Sequence, residues 1–354
     1  MSDKFKFFSD PLNIYSSMLK DIEDAKKYIY FEIYIFENDS IGEKFRNTLL
    51  KKAKQGLEIK ILIDSWGATV SKAFFSEIIE NGGEVRFFKK INARLNIFTE
   101  SHRRDHRKIL VIDDRISYVG SANVTVRCLN WRESMFKIEG DIANAFRRIF
   151  IQNYNIYNKY IYDKKKQIKY VLHDGYQIIR DVPSIRFQQI KKKFIQLIRN
   201  ACKEIIIETP YFLPGSMLRK ELMKASLKGI EVKVIMPRHS DIRMVDILRE
   251  MYFGQLHRSG IKLYFYTPQN LHSKLMLIDK ETFVLGSANF DYRSFRYQFE
   301  MILTGKNPEL AMRLDEHLNN SINDTNEFVY DIWKKRPLIQ KIFEKILIPF
   351  RHIF

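Results

Sequence analysis

The chain has 354 residues, 45% of them hydrophobic, with 60 Lys and Arg against 42 Asp and Glu and a formal net charge of +18. That apolar content excludes global disorder, and two cysteines, Cys128 and Cys202, exclude a disulfide framework or a cysteine zinc site. The charge calls for an anionic partner (nucleic acid, an anionic membrane surface or a phosphate-bearing substrate) without choosing among them, and a solvated Lys-rich surface would give the same sum.

The N-terminus, MSDKFKFFSD, lacks the apolar stretch of a secretory signal. No run of 18 or more apolar residues follows, so no spanning helix is expected; the two unpatterned cysteines fit a reducing, cytoplasmic setting. After IYFEIYIF (29–36), Ser40 with Glu43 reads as a capping box. Ile41, Phe45, Leu49 and Ala53 continue at helical spacing, and Gly56 is placed as the stop. LEIKILID (57–64) reads as a buried, β-branched strand. Then come NGGEVRFF (81–88), HRKILVIDD (106–114), a second short apolar strand and GSAN (120–123).

The chain is written twice. IIIETPYF (205–212) repeats IYFEIYIF. MKASLKGIEVKVIM (223–236) repeats KKAKQGLEIKILID (51–64), and RSGIKLYF (258–265) repeats NGGEVRFF. HSKLMLIDKETFVLGSANFD (272–291) repeats HRKILVIDDRISYVGSANVT (106–125). The four pairs keep their order, which marks duplication of a whole unit and not a short solenoid repeat. Alternating helices and strands predict an α/β layered fold. The expected units are 1–160, 161–325 and a C-terminal basic amphipathic segment, 326–354, with the boundary in the polar stretch 159–186.

In a strand, residues i and i+2 face the same way. His106 and Lys108 are therefore expected on one strand face, and His272 and Lys274 on its repeat. Glycine in GSAN permits a tight turn or close backbone approach, and Ser121, Asn123, Ser287 and Asn289 supply short hydrogen-bonding groups. The doubled set suits a phosphodiester. Lysines and asparagines can hold its non-bridging oxygens. One histidine can attack phosphorus while the other moves the proton. No carboxylate cluster for a metal is apparent, and no cofactor is expected. His102, His173, His239, His257, His317 and His352 lack a partner pattern. Trp66, Trp131 and Trp333 are assigned to packing or interfaces, and Cys128 to a buried, inert thiol.

HRKILVID…GSAN and HSKLMLID…GSAN resemble the paired HxKxxxxD motifs of the phospholipase D superfamily. With the flanks YFEIYIFENDSIGEKF, NWRESMFKIEG, ETPYFLPG and GSANFDYRSFRYQFE, the chain is most similar to bacterial cardiolipin synthases over about residues 10–350. The resemblance implies a duplicated fold of two pseudo-twofold-related halves, each a mixed β-sheet flanked by helices, with one composite site between them. It implies metal-independent transfer of a phosphatidyl group to phosphatidylglycerol. His106 would be the nucleophile and His272 the acid/base. Lys108, Lys274, Asn123 and Asn289 would bind the phosphate with Ser121 and Ser287 assisting, and Glu133 and Glu300 would each orient a histidine. Asp113 and Asp279 complete the catalytic motifs in a structural or supporting part. Many such synthases begin with two membrane-spanning helices; this chain resembles the shorter members without them, on the cytoplasmic side of a membrane. The expected partners are an anionic phospholipid and a membrane surface, without nucleic acid; oligomeric state is left open.

The basic loop KKINARLNIFTESHRRD (89–105) is expected to guide an acidic head group. The segment WKKRPLIQKIFEKILIPFRHIF (333–354) reads equally as a helix lying on an anionic bilayer or as one closing the core. Hydrolysis by a phospholipase D-type enzyme, a nuclease of the same superfamily and a non-enzymatic binding module are the competing readings.

Overall fold

The computed structural model describes residues 3–89, 103–159 and 170–351. The expected boundary at 160, most of the loop 89–105, His102 and His352 lie outside them.

Each half builds a mixed sheet in the same strand order. In the first half the order is Lys4–Phe8, Met135–Glu139, Ile116–Gly120, Ile109–Ile112, Tyr28–Ile33, Glu58–Asp64, Glu84–Phe88. In the second, Tyr176–Asp181, Gln298–Lys306, Thr282–Gly286, Leu275–Ile278, Glu204–Glu208, Glu231–Pro237 and Lys262–Tyr266 occupy the matching places, with Val171–His173 and Thr325–Glu327 added at the edges. The last three strands of each matching set run parallel.

The strands are covered on both faces, so they read as continuous apolar runs. Along Tyr28–Ile33, Tyr28 and Tyr30 enter a core shared by both halves, while Ile29, Phe31 and Ile33 enter an outer core. The shared core draws Ile149 and Phe150 from helix Ala143–Tyr154 and Leu310 and Leu314 from helix Pro308–Asn323. Two outer cores lie under Pro11–Asp24 and Ser40–Lys54 on one side, and under Gln189–Asn200, Ser216–Leu227 and Arg243–Arg258 on the other. Two sheets thus clasp a central helix pair and carry helices on their outer faces.

Helix Ser40–Lys54 begins where expected but is capped differently. Asp39 Oδ1 accepts the amides of Ile41 at 3.0 Å and Gly42 at 2.9 Å, which displaces Ser40 from the cap. Gly56 follows the helix at φ +82°, a left-handed conformation that glycine adopts without strain.

Candidate active site

The halves exchange short strands at the two motifs. Arg104–Asp105 pairs with Gln298–Phe299 in the second sheet, and Trp131–Arg132 pairs with Asn270–Leu271. The His106 amide donates to Phe299 O at 3.1 Å, and the His272 amide to Arg132 O at 2.8 Å. Those acceptors are the residues immediately before Glu300 and Glu133. Each histidine is therefore fixed, by backbone, beside the glutamate of the opposite half.

The side chains complete this exchange. His106 Nδ1 lies 3.0 Å from Glu300 Oε1, and His272 Nδ1 lies 3.0 Å from both Glu133 carboxylate oxygens. With Nδ1–H donated to a carboxylate, the Nε2 atom of each ring is left for chemistry. His106 and Lys108 do not sit on a strand face. They precede strand Ile109–Ile112, where pairing with the other half replaces the ladder, and Lys108 Nζ folds back on His106 O at 2.6 Å. Lys274 does the same with His272 O at 2.7 Å.

The GSAN segments are packing devices. A Cβ on Gly120 would lie 2.1 Å from Ser134 O, and one on Gly286 2.1 Å from Met301 O. Glycine lets the two chain segments touch, and the next residue then reaches the glutamate. Ser121 Oγ donates to Glu133 Oε2 at 2.5 Å and accepts the Ser134 amide at 2.8 Å. Ser287 Oγ donates to Glu300 and accepts the Met301 amide at 3.0 Å. The serines take a place the sequence did not suggest: their hydrogen bonds hold the carboxylates that hold the histidines. Asn123 Oδ1 accepts the Ile35 amide at 3.2 Å, which commits its oxygen and leaves its NH2 end. Asn289 Oδ1 is buried with no hydrogen-bond partner among the described residues.

Asp113 and Asp279 do not join the catalytic cluster. Asp113 accepts the amides of Lys26, Lys27 and Tyr28 at 2.6–2.9 Å, and Asp279 those of Cys202, Lys203 and Glu204 at 2.6–3.2 Å. Each opens a hairpin turn at positive φ, +55° and +53°, where Asp is well tolerated. Their place at the end of HxKxxxxD is architectural, tying the hairpin to the strand beside it. Asp113→Ala is expected to lower the unfolding free energy by about 1–3 kcal/mol and leave kcat unchanged. A urea titration beside a rate measurement checks this; lost rate at unchanged stability would contradict it.

Two aromatic rings line the histidines. Tyr34 stands edge-on to His106 with centroids 4.9 Å apart, and its ring centroid is 5.1 Å from Lys108 Nζ. Trp131, assigned to packing or an interface from sequence, has its ring 5.0 Å from His272. The clue was its place two residues before Glu133. His317 is a core residue, its Nε2 2.9 Å from Glu208. Cys128 is buried, and burial pushes its thiol up, as an inert thiol requires.

The cluster is nearly closed to water: His106 keeps 6% exposure, His272 5%, Lys108 1% and Lys274 4%. Burial lowers Lys108 to about 7, helped by the charge of Lys274. Burial lowers Lys274 to about 8, against the pull of Glu133 and Glu300. Burial and the two lysines hold His106 well below its ordinary value. His272 is also lowered by burial, but the Glu133 carboxylate opposes this. Burial opposes the charge on Glu133, yet His272 and Lys274 outweigh it and hold that carboxyl low; Glu300 is raised by burial in spite of Lys108. Both rings are thus held below their ordinary value, His272 less far than His106 because the Glu133 carboxylate offsets part of the cost of burial.

A bound anion supplies the charge that burial denies the lysines. Both lysines lose their protons as pH rises through about 7 to 8 in the free protein, and an anion favours the protonated forms. Sulfate affinity is therefore expected to fall between pH 7 and 9, by up to about tenfold per unit for each lysine that must take up a proton. Calorimetric titration with sulfate, whose own charge is constant there, reads this directly. Affinity independent of pH would contradict it.

A family model described as "Cardiolipin synthase, PLD-like domain" matches residues 18–154 and 194–322, one segment per motif. The chain belongs to the cardiolipin synthase family of the phospholipase D superfamily. A cardiolipin synthase of Clostridium perfringens strain SM101 is 31% identical over 96% of this chain and 75% of its own length. The major cardiolipin synthase of Bacillus subtilis is 32% identical over 96% of this chain and 73% of its own. Among solved structures, the phosphatidylserine synthase of Haemophilus influenzae matches with a TM-score of 0.78 at 16% identity, covering 99% of this chain and 95% of that one. That likeness shows the duplicated phospholipase D fold, with the mixed sheets and flanking helices expected from sequence. Among the described residues, no helix is long and apolar enough to cross a membrane.

Proposed function

We propose that the chain catalyses cardiolipin synthase-type phosphatidyl transfer through a phosphohistidine on His106. The observation that carries this is the crossed pairing of His106 with Glu300 and of His272 with Glu133, together with the weaker lowering of His272, which Glu133 opposes. Neutral His106, its Nδ1–H held by Glu300, attacks the phosphorus of phosphatidylglycerol through Nε2. The phosphorus–oxygen bond to the head-group glycerol breaks, and that oxygen takes the proton of the His272 imidazolium. Free glycerol leaves. A second phosphatidylglycerol then gives its hydroxyl proton to His272, its oxygen bonds to phosphorus, and the bond to His106 breaks, yielding cardiolipin. Lys108 and Lys274 offset the charge that develops on the phosphoryl oxygens, with the Asn123 and Asn289 side chains beside them. The family's relatives named as cardiolipin synthases support this choice of donor and acceptor.

The test is purified protein with EDTA on phosphatidylglycerol vesicles, following lipids and free glycerol. Cardiolipin and glycerol in equal amounts are expected. Phosphatidic acid in place of cardiolipin would make the protein a hydrolase, with water reaching the phosphohistidine. DNA cleavage without lipid turnover would overturn the lipid reading.

A further inference from the structure

The C-terminal helix Leu338–Leu347 faces the wrong way for one that closes a core. Apart from Leu347, which packs on the core of the second half, its protein-facing side is polar. Gln340 Nε2 donates to Glu250 Oε2 at 2.6 Å, and Glu344, 4% exposed, accepts from Arg336 at 2.7 and 2.8 Å. Its apolar side looks outward: Leu338, Ile339, Ile342, Phe343 and Ile346 are 50–76% exposed. An ordinary amphipathic helix does the opposite. The segment is also fixed in place. The Trp333 indole donates to Glu250 O at 2.9 Å, and its ring fills the space left by Gly254, where a Cβ would come within 2.3 Å. The exposed stripe is therefore held outward by a polar lock on the helix Arg243–Arg258.

We infer that this face docks on an anionic bilayer, with Ile342, Phe343 and Ile346 entering the acyl boundary and Lys334, Lys335 and Lys345 meeting lipid phosphates. The three lysines are exposed, and a stripe of bulky apolar residues with a cationic margin is the composition that binds anionic lipid surfaces. The net charge of +18 acts in the same sense. A lipid occupant, chosen over a second copy of the chain, rests on the proposed transfer between phospholipids. The supporting helix begins just after Asp241, which holds the Tyr211 hydroxyl at 2.5 Å and lies near enough to Lys274 to act on its charge. A bilayer on this face would thus lie against the helix whose leading loop reaches the site.

The experiment is flotation of the full chain with vesicles of phosphatidylglycerol and phosphatidylcholine, wild type against the double variant Ile342→Glu, Phe343→Glu. Both positions are half exposed, so unchanged thermal melting is expected. Vesicle binding is expected to fall at least tenfold, while turnover of a monomeric short-chain phosphatidylglycerol stays unchanged. Unaltered flotation of the double variant would overturn the docking face. So would a wild-type dimer that the variant converts to a monomer, since the occupant would then be a second copy. Failure of the wild type to turn over the monomeric lipid would count against the proposed function alone; vesicle binding is read separately.

Discussion

His106→Asn is expected to lower phosphatidyl transfer by about 10⁴-fold or more, with no covalent adduct, because it removes the atom that bonds to phosphorus. His272→Asn is expected to show an equal loss on phosphatidylglycerol but for a different reason: the alkoxide of glycerol is a poor leaving group without a proton. The two variants separate on a phosphodiester with a p-nitrophenyl leaving group, which departs unprotonated. There His272→Asn is expected to release a burst of nitrophenol equal to the enzyme present, and His106→Asn none. The difference between the pairs is the ground for this assignment. Burial and two lysines hold His106 well down, as a nucleophile requires, while His272 is lowered less because the Glu133 carboxylate opposes burial, which makes it the better proton carrier of the two. A burst from His106→Asn and none from His272→Asn would reverse the roles.

Glu133→Gln is expected to cost about 10²- to 10⁴-fold in kcat, the range by which a positioned acid or base contributes. The carboxylate raises the proton affinity of His272, and its loss lowers it. The protonated ring is then scarcer still at neutral pH, so the alkaline limb of the kcat profile should move to lower pH. Glu300→Gln should leave that limb where it is. His106 works unprotonated, and a glutamine oxygen can still accept its Nδ1–H; the loss falls on the positive phosphohistidine that Glu300 faces. Equal displacement of the limb by both substitutions would mean that the pairs are not specialised. These substitutions also disturb Ser121 and Ser287, whose hydroxyls grip the same carboxylates. Ser121→Ala should therefore show the Glu133→Gln displacement in weaker form.

The legible part of the sequence is whatever the duplication wrote twice. The parallel strands, the hairpin after each motif, and the His, Lys, Ser, Asn and Glu positions each appear in two copies, and chance does not repeat a spacing in order. The crossing was not legible. Nothing local to HRK or NWRE says that His106 will take Glu300 and His272 will take Glu133, because that is decided by Arg104–Asp105 and Trp131–Arg132 leaving their own sheet to pair with the other half. The serines' hold on the carboxylates was hidden for a related reason: a hydroxyl beside a lysine suits a phosphate, and only the close packing at Gly120 and Gly286 shows that it also reaches a carboxylate. Asp113 and Asp279 look catalytic by position in a motif, yet positive φ and three backbone amides account for each. The cap at Asp39 was a choice between adjacent good formers, which propensity alone does not rank. The C-terminal stripe was plain in sequence, but its direction was not, since amphipathic spacing is the same whether the apolar side meets protein or lipid.

The most direct test of the account is intact mass measurement of His272→Asn, quenched after mixing with the p-nitrophenyl ester of a short-chain phosphatidic acid. The account predicts one phosphatidyl group per chain, lost on acid treatment as a phosphoramidate is, and mapped by peptide sequencing to His106. An unmodified chain after nitrophenol release, or an adduct on any other residue, would contradict it.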